Sequence, residues 1–369
     1  MKVALLHCYS SDNLGDGMLV DRAVDLITEA LGPDTDIDLV AAYPESFQYL
    51  GLRCVSSKPG SLGEARRYLQ VLRNLDAYDL VVGVGGGYLR FGSGVESAKT
   101  AIVHGPQLLA AGRTHTPTVY LPQSIGPSRG AARRLVRTMI GSLDAVCLRD
   151  DRSIEELGTA PNIARIPDVA IISGSVAERG TDDATAPGRT TMPRVVLSVR
   201  SVHGTLPRPV TELATMLGKF DGYVQSAVAG NNDTAVMESL GPAEILTPRE
   251  LLDPRAEPRV VVAMRLHAAL MALEAGHYVI HLAYERKGFG AFADLGLDAY
   301  VHHFRSFTPA VVEQQVARLL DDPAERATYN RLLAHRADAH RARWRELRDR
   351  LRTSVGLTPE LHALAGHPG

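Results

Sequence analysis

Cysteine is scarce. The 369 residues hold three, Cys8, Cys54 and Cys147, with no CxxC pair, which leaves no disulfide framework and predicts reduced core thiols in a cytoplasmic protein. Long apolar runs are missing too, none approaching the roughly 18 residues that span a bilayer. The opening MKVALLHCYSS runs straight into DNLGDG and lacks the apolar core and small-residue cleavage site of a secretory signal, so it is expected to be a first buried strand. Neither sign of charge dominates. A net charge of −2 gives no bulk attraction to nucleic acid, and any anion binding must be local. The 13 histidines are scattered and no His, Cys and Asp cluster has the spacing of metal ligands, so neither a metal nor a cofactor is expected.

What the chain does have is alternation. KVALLHC, DIDLVAA, DLVVGVGG, PTVYLPQS and AVCLRD are short apolar runs separated by amphipathic helical patterns, of which GMLVDRAVDLITEAL is the first. Such runs mark a parallel sheet buried on both faces. The pattern stops in SGSVAERGTDDATAPGRTTMP, which is polar and has no hydrophobic period, and restarts with RVVLSVR, GYVQSAV, AEIL, RVVVAM and HYVIHLA. Two Rossmann-like doubly wound α/β domains are therefore predicted, at 1–175 and 194–310, with a linker at 176–193, helices at 311–352 and a tail at 353–369. The carboxyl ends of the strands would meet in an interdomain cleft. Residues 331–352 carry eight Arg against Asp338, Glu346 and Asp349. That stripe reads either as a solvated helix face or as a patch for acidic lipid headgroups or a lipid-linked substrate, with peripheral contact at the inner face of the membrane. The abundance of Arg and Ala points to a GC-rich bacterial genome.

Several segments put glycine or polar residues where strands end. In NLGDG, Asn13 to Gly17, the glycines permit close backbone approach and Asp16 can cap the following helix; the turn is either structural or a polar ligand site. GVGGGYLR places Gly85, Gly86 and Gly87 after a strand, so the backbone there presses against a ligand or the next helix. A dinucleotide fingerprint would need an acid about 20 residues later to hold a ribose. Residues 97–143 contain no Asp or Glu, which sets a Rossmann dehydrogenase aside. In LPQSIGPSRG, Gln123 and Ser124 offer hydrogen bonds to a substrate hydroxyl, unless the segment is only a turn. Arg149 emerges directly after AVCL as a candidate anion ligand, with Asp150 and Ser153 beginning the next helix.

The densest signal is VVVAMRLHAALMALEAG, a strand running into a helix, followed by the strand and joint HYVIHLAYERKGFG. A helix N-terminus presents unpaired N–H groups and partial positive charge. Arg265 and His267 add a cation and a titratable ring at that point, and Lys287 takes the corresponding place one strand later. Cationic groups gathered at adjacent strand ends are costly unless an anion neutralises them, so a small, highly charged ligand is expected.

Taken in order, Asn13–Asp16, Gly85–Gly87, PQSIGP at Pro122–Pro127, RDDRS at Arg149–Ser153, PD at Pro167–Asp168, RLH at Arg265–His267 and the later Lys287 resemble the polysaccharide pyruvyl transferase family. Leu14 stands where an aromatic is common, and GHY at Gly276–Tyr278 replaces a more usual Gly-x-Pro. The resemblance implies a GT-B-like fold and a reaction in which phosphoenolpyruvate donates its three-carbon unit to two hydroxyls of a sugar. It implies Arg149, His267 and Lys287 as phosphoenolpyruvate ligands, with Arg265 beside them. His267 would then act as acid or base or help expel phosphate, and Asp16 would partner an acceptor hydroxyl, in a site completed by Asn13, Gly86, Gly87, Gln123 and Ser124. The acceptor would be a sugar of a cell-surface glycan or its precursor, whether lipid-linked, nucleotide-linked or polymeric. A nucleotide-sugar glycosyltransferase of the same architecture is the rival, but it commonly pairs acids around the second-domain helix, and Glu274 and Glu285 do not form such a pair by spacing. A noncatalytic sugar- or phosphate-binding scaffold is the third reading, opposed by the survival of every candidate cation.

Overall fold

The computed structural model describes residues 1–89, 94–128, 130–173, 194–202, 204–226 and 232–359; the linker expected at 176–193 and the tail beyond 359 lie outside the described residues. Among the described residues the first lobe is an eight-stranded parallel sheet in the order β3-β2-β1-β4-β6-β7-β8, with β5 pairing to β6. Its strands are β1 Lys2–Cys8, β2 Asp36–Ala41, β3 Arg53–Ser56, β4 Leu80–Gly83, β5 Gly86–Leu89, β6 Thr118–Ile125, β7 Ala145–Leu148 and β8 Ile163–Arg165. The second lobe is a six-stranded parallel sheet, β11-β10-β9-β12-β13-β14. Here β9 is Val196–Ser198, β10 Asp221–Tyr223, β11 Ile245–Leu246, β12 Val260–Ala263, β13 Tyr278–Ala283 and β14 Val301–His303. Val3 to Cys8 of β1 and all of β12 and β13 are buried, as expected of strands covered by helices on both faces.

Both strand orders reverse. The chain winds outward from β1 to β3 and returns to β4 on the other side of β1, and it repeats this from β9 to β11 before returning to β12. At each reversal the connections leave in opposite directions and open a crevice at the strands' carboxyl ends. Among the helices, α1 spans Leu14–Leu31, α2 Leu266–Glu274, α3 Arg286–Asp294 and α4 Pro323–Ser354.

The lobes are tied together at several points. Arg22 of α1 pairs with Glu274 of α2, and Arg165 donates to both carboxylate oxygens of Asp294, in α3, at 2.9 Å. With 32 residues, α4 is about 48 Å long. It begins on the second lobe, where the Tyr329 hydroxyl donates to the Val279 carbonyl at 2.9 Å, and ends on the first, where Trp344 Nε1 donates to Glu29 at 2.8 Å and Arg352 Nη1 to the Ala30 carbonyl at 2.9 Å. Part of its arginine stripe is neutralised within the helix: Arg341 pairs with Asp338, and Arg343 and Arg350 with Glu346. No helix of the described residues is long and apolar enough to cross a membrane. Cys8 and Cys147 are buried, Cys54 is partly buried, and all three are free thiols.

Candidate active site

The two crevices face each other across a cleft of about 820 Å³, lined by Asn13, Asp16, Gly86, Gly87 and Arg149 from the first lobe and by Arg265, His267 and Lys287 from the second. The lobes touch at the head of α1. A Cβ on Gly15 would lie 2.5 Å from Nδ1 of His267, so only glycine lets α1 approach that imidazole. Asn13 also forms an isolated antiparallel bridge with Ser226 of the second lobe. The main-chain N–H of Asp16 donates to the Asn13 carbonyl at 2.9 Å, and the Asn13 side chain donates to the Asp16 carboxylate at 2.6 Å. Asn13, not Asp16, therefore occupies the cap position, and Asp16 lies in the first turn of α1.

Each of the three expected cations, Arg149, Arg265 and Lys287, already faces a carboxylate. The Arg149 side chain, 3% exposed, pairs with Asp168 and donates from Nε to the Ser124 hydroxyl at 2.8 Å. Arg265 binds both oxygens of Asp233, the longer contact being 2.9 Å. Lys287 Nζ lies 2.8 Å from Glu285. The expectation that these charges wait for an external anion is thus corrected: protein carboxylates offset their burial cost, and a ligand anion would add to these pairs or exchange with them. Two polar positions remain open. Arg149 Nη2 and His267 Nε2 are buried without a hydrogen-bond partner among the described residues, and both residues line the cleft.

Burial pushes the Asp16 carboxyl up to about 6, against the opposing pull of Lys287, the Asn13 hydrogen bond, Arg149 and Arg265. His267 moves the other way, down to about 4: burial disfavours its cation, Asp168 resists this, and Arg149, Lys287 and Arg265 reinforce it. Near neutral pH the unliganded cleft therefore holds a neutral imidazole and a largely ionised carboxylate that protonates readily. The Asp16 shift has a stability consequence. A carboxyl whose folded pKa exceeds its unfolded value binds protons better when folded, so its contribution declines as pH rises from about 4 to about 6. Asp16→Asn is expected to stabilise the unliganded protein at pH 8 by on the order of 2 kcal/mol and to confer little at pH 4. Thermal melts of both proteins across that range check it; equal differences at the two pH values would discard the shift.

The polysaccharide pyruvyl transferase family profile matches residues 13–286. The chain belongs to that family. No curated protein matches the sequence. Among solved structures it is similar to S. aureus MnaA in complex with UDP, with TM-score 0.56 and 10% identity over 99% of this chain and 100% of that one. The UDP-GlcNAc 2-epimerase of Methanocaldococcus jannaschii gives TM-score 0.53 and 9% identity over 91% and 100%. The glycotransferase of kitacinnamycin gives 0.50 and 13% over 96% and 97%. At these identities the likeness speaks for the fold, which is the GT-B arrangement of two parallel α/β lobes.

Within this pyruvyl transferase family chain two expected acceptor contacts sit elsewhere. Gln123 is fully buried and does not line the cleft; both its amide atoms lack a partner among the described residues. The Ser124 hydroxyl is already used, accepting from Arg149 and donating to Asp150, so it positions the guanidinium rather than meeting a sugar. Within the glycine run, Gly85 lines the cleft and presses most closely on the neighbouring strand, since a Cβ there would lie 2.8 Å from the Pro122 carbonyl oxygen. Gly86, at φ +142°, and Gly87 also reach the cleft. The sequence assigns no role to the carboxylates Asp168 and Asp233, nor to a ring cluster in which buried His7, at φ +68°, stacks on Tyr88 with centroids 4.8 Å apart, bonds Tyr120 at 2.9 Å and contacts His104 at 3.2 Å. Only the PD dipeptide at Pro167–Asp168 signalled any of them.

Proposed function

We propose that the protein transfers the enolpyruvyl-derived unit of phosphoenolpyruvate onto two hydroxyls of a sugar, releasing inorganic phosphate and leaving a cyclic ketal. The observation that carries this is the pair of buried, unpartnered nitrogens, Arg149 Nη2 and His267 Nε2, in a cleft that also holds Arg265, Lys287 and the N-terminus of α2. Phosphoenolpyruvate carries a phosphate and a carboxylate, and a divided cation set orients such a molecule, Arg by its planar fork and Lys as a point charge. In the reaction the methylene carbon gains a proton and the central carbon accepts the first hydroxyl oxygen, whose proton passes to Asp16. The bond to phosphate then breaks, the second hydroxyl adds to the same carbon, and its proton leaves with the phosphate. A bound dianion raises the pKa of the neutral His267, so donor binding equips the imidazole with the proton it delivers. The residues of this scheme require no metal or cofactor. The acceptor is a sugar of a cell-surface glycan or its precursor, and the protein acts in the cytoplasm, where the exposed face of α4 can rest on an anionic membrane.

Thermal-shift titration tests the donor. Phosphoenolpyruvate at about 100 times its Kd is expected to stabilise the native state by about 2.7 kcal/mol, with UDP- and GDP-sugars giving no shift. Stabilisation by a nucleotide sugar alone would replace this reading with a glycosyltransferase. Mass spectrometry of glycosyl lipids incubated with enzyme and phosphoenolpyruvate then reads the added pyruvate directly.

A further inference from the structure

Lys58 also lines the cleft, and it differs from Arg149, Arg265 and Lys287, each of which faces a carboxylate. Its ammonium is held instead by two tyrosines. Nζ lies 4.5 Å from the Tyr43 ring centroid and 5.2 Å from that of Tyr9, and it donates to the Tyr43 hydroxyl at 3.3 Å. The two rings meet edge to face, 5.4 Å apart at 85°, which fixes the bracket. Lys58 is solvent-exposed, and the two aromatic faces restrict its ammonium while leaving it open to a ligand.

Its place in the sheet separates it from the donor site. Lys58 follows β3 and Arg149 follows β7, five strand intervals apart in the order β3-β2-β1-β4-β6-β7. At about 4.8 Å per interval their backbones stand roughly 24 Å apart, which puts Lys58 toward the β3 end of the cleft and Arg149 toward the β7 end. On the second lobe Arg200 lines the same cleft and contacts a tyrosine, its Cζ 5.0 Å above the Tyr284 ring and Nη1 2.9 Å from the Tyr284 hydroxyl.

We propose that Lys58, bracketed by Tyr9 and Tyr43, binds an anionic group carried by the acceptor: a phosphate joining the sugar to its carrier, or a carboxylate on the sugar itself. The inference rests on the pyruvyl transfer reading, since it takes the occupant of this end of the cleft to be the acceptor. Calorimetric titration with phosphoenolpyruvate saturating tests it, using N-acetylglucosamine 1-phosphate, methyl glucuronide and methyl glucoside as probes. Lys58→Met is expected to weaken at least one anionic probe about tenfold, the low end for one charge-assisted hydrogen bond, while methyl glucoside and phosphoenolpyruvate bind as before and Lys58→Arg retains the preference. Loss confined to the phosphate probe names a carrier phosphate; loss confined to the glucuronide names an acidic sugar. Unchanged binding of both anionic probes to Lys58→Met overturns the proposal. So does a wild-type protein that binds neither more tightly than methyl glucoside, or a tenfold loss of phosphoenolpyruvate affinity in the variant. If the wild type binds no phosphoenolpyruvate, the donor reading fails instead, and the sugar titrations without it still report on Lys58.

Discussion

His267→Gln is expected to lower phosphate release from phosphoenolpyruvate and acceptor by about 10²–10⁴-fold while the protein stays folded. Glutamine preserves much of the volume and a hydrogen-bonding group but cannot carry a proton through the reaction. The imidazole sits on the first turn of α2 against the bare backbone of Gly15, so its ring plane is set by both lobes, and its Nε2 has no partner to lose among the described residues. Little native structure is therefore at stake. Stability gives a second readout. A histidine whose folded pKa lies near 4 makes the unfolded chain the better proton binder between about pH 4 and 6.5, so wild-type stability falls as pH drops through that window. The variant should lose this part of the acid sensitivity. Near-normal turnover in steady-state assays would remove His267 from the chemistry, and an unchanged stability profile would remove the buried neutral imidazole.

The residues legible in the sequence are those whose roles follow from the element they terminate. Arg149, Arg265, His267 and Lys287 stand directly after or one turn beyond buried apolar strands, and a parallel sheet sends such positions to one edge. The sheets themselves were readable for the same reason: VVVA and YVIHLA have no polar face to alternate with. What stayed hidden depends on long-range pairing. Asp168 lies 19 residues from Arg149, and Asp233 lies 32 from Arg265, with no local pattern joining them. Gln123 was misplaced because the β6–β7 register shifts between Tyr120 and Gln123, and such an irregularity changes which way later side chains point without marking the sequence. The helical period of α4 shows a helix but not its partner, so its return to the first lobe appears only in three dimensions.

Asp168→Ala is expected to destabilise the fold by about 3–5 kcal/mol at pH 7, the cost of stranding a buried guanidinium. Both side chains of the Arg149–Asp168 pair are 3% exposed, and Asp168 also caps the short helix Val169–Ile172 through the Ala170 N–H at 3.1 Å. Burial opposes the Asp168 carboxylate, yet Arg149, His267 and the Ala170 N–H together hold its pKa below the usual range. A depressed carboxyl contributes stability above its unfolded pKa and loses it as pH falls through the folded value, so the gap between wild type and variant should close only in strong acid. The pair can be separated from its role in binding. Replacing both partners, as in Arg149→Met with Asp168→Leu, leaves no stranded charge and should cost less than Asp168→Ala alone. If Arg149 is a donor ligand, phosphoenolpyruvate supplies the missing negative charge, and it should raise the melting temperature of Asp168→Ala more than that of wild type. Equal shifts in the two proteins would mean that the ligand's anion never reaches Arg149, and the guanidinium would then be structural.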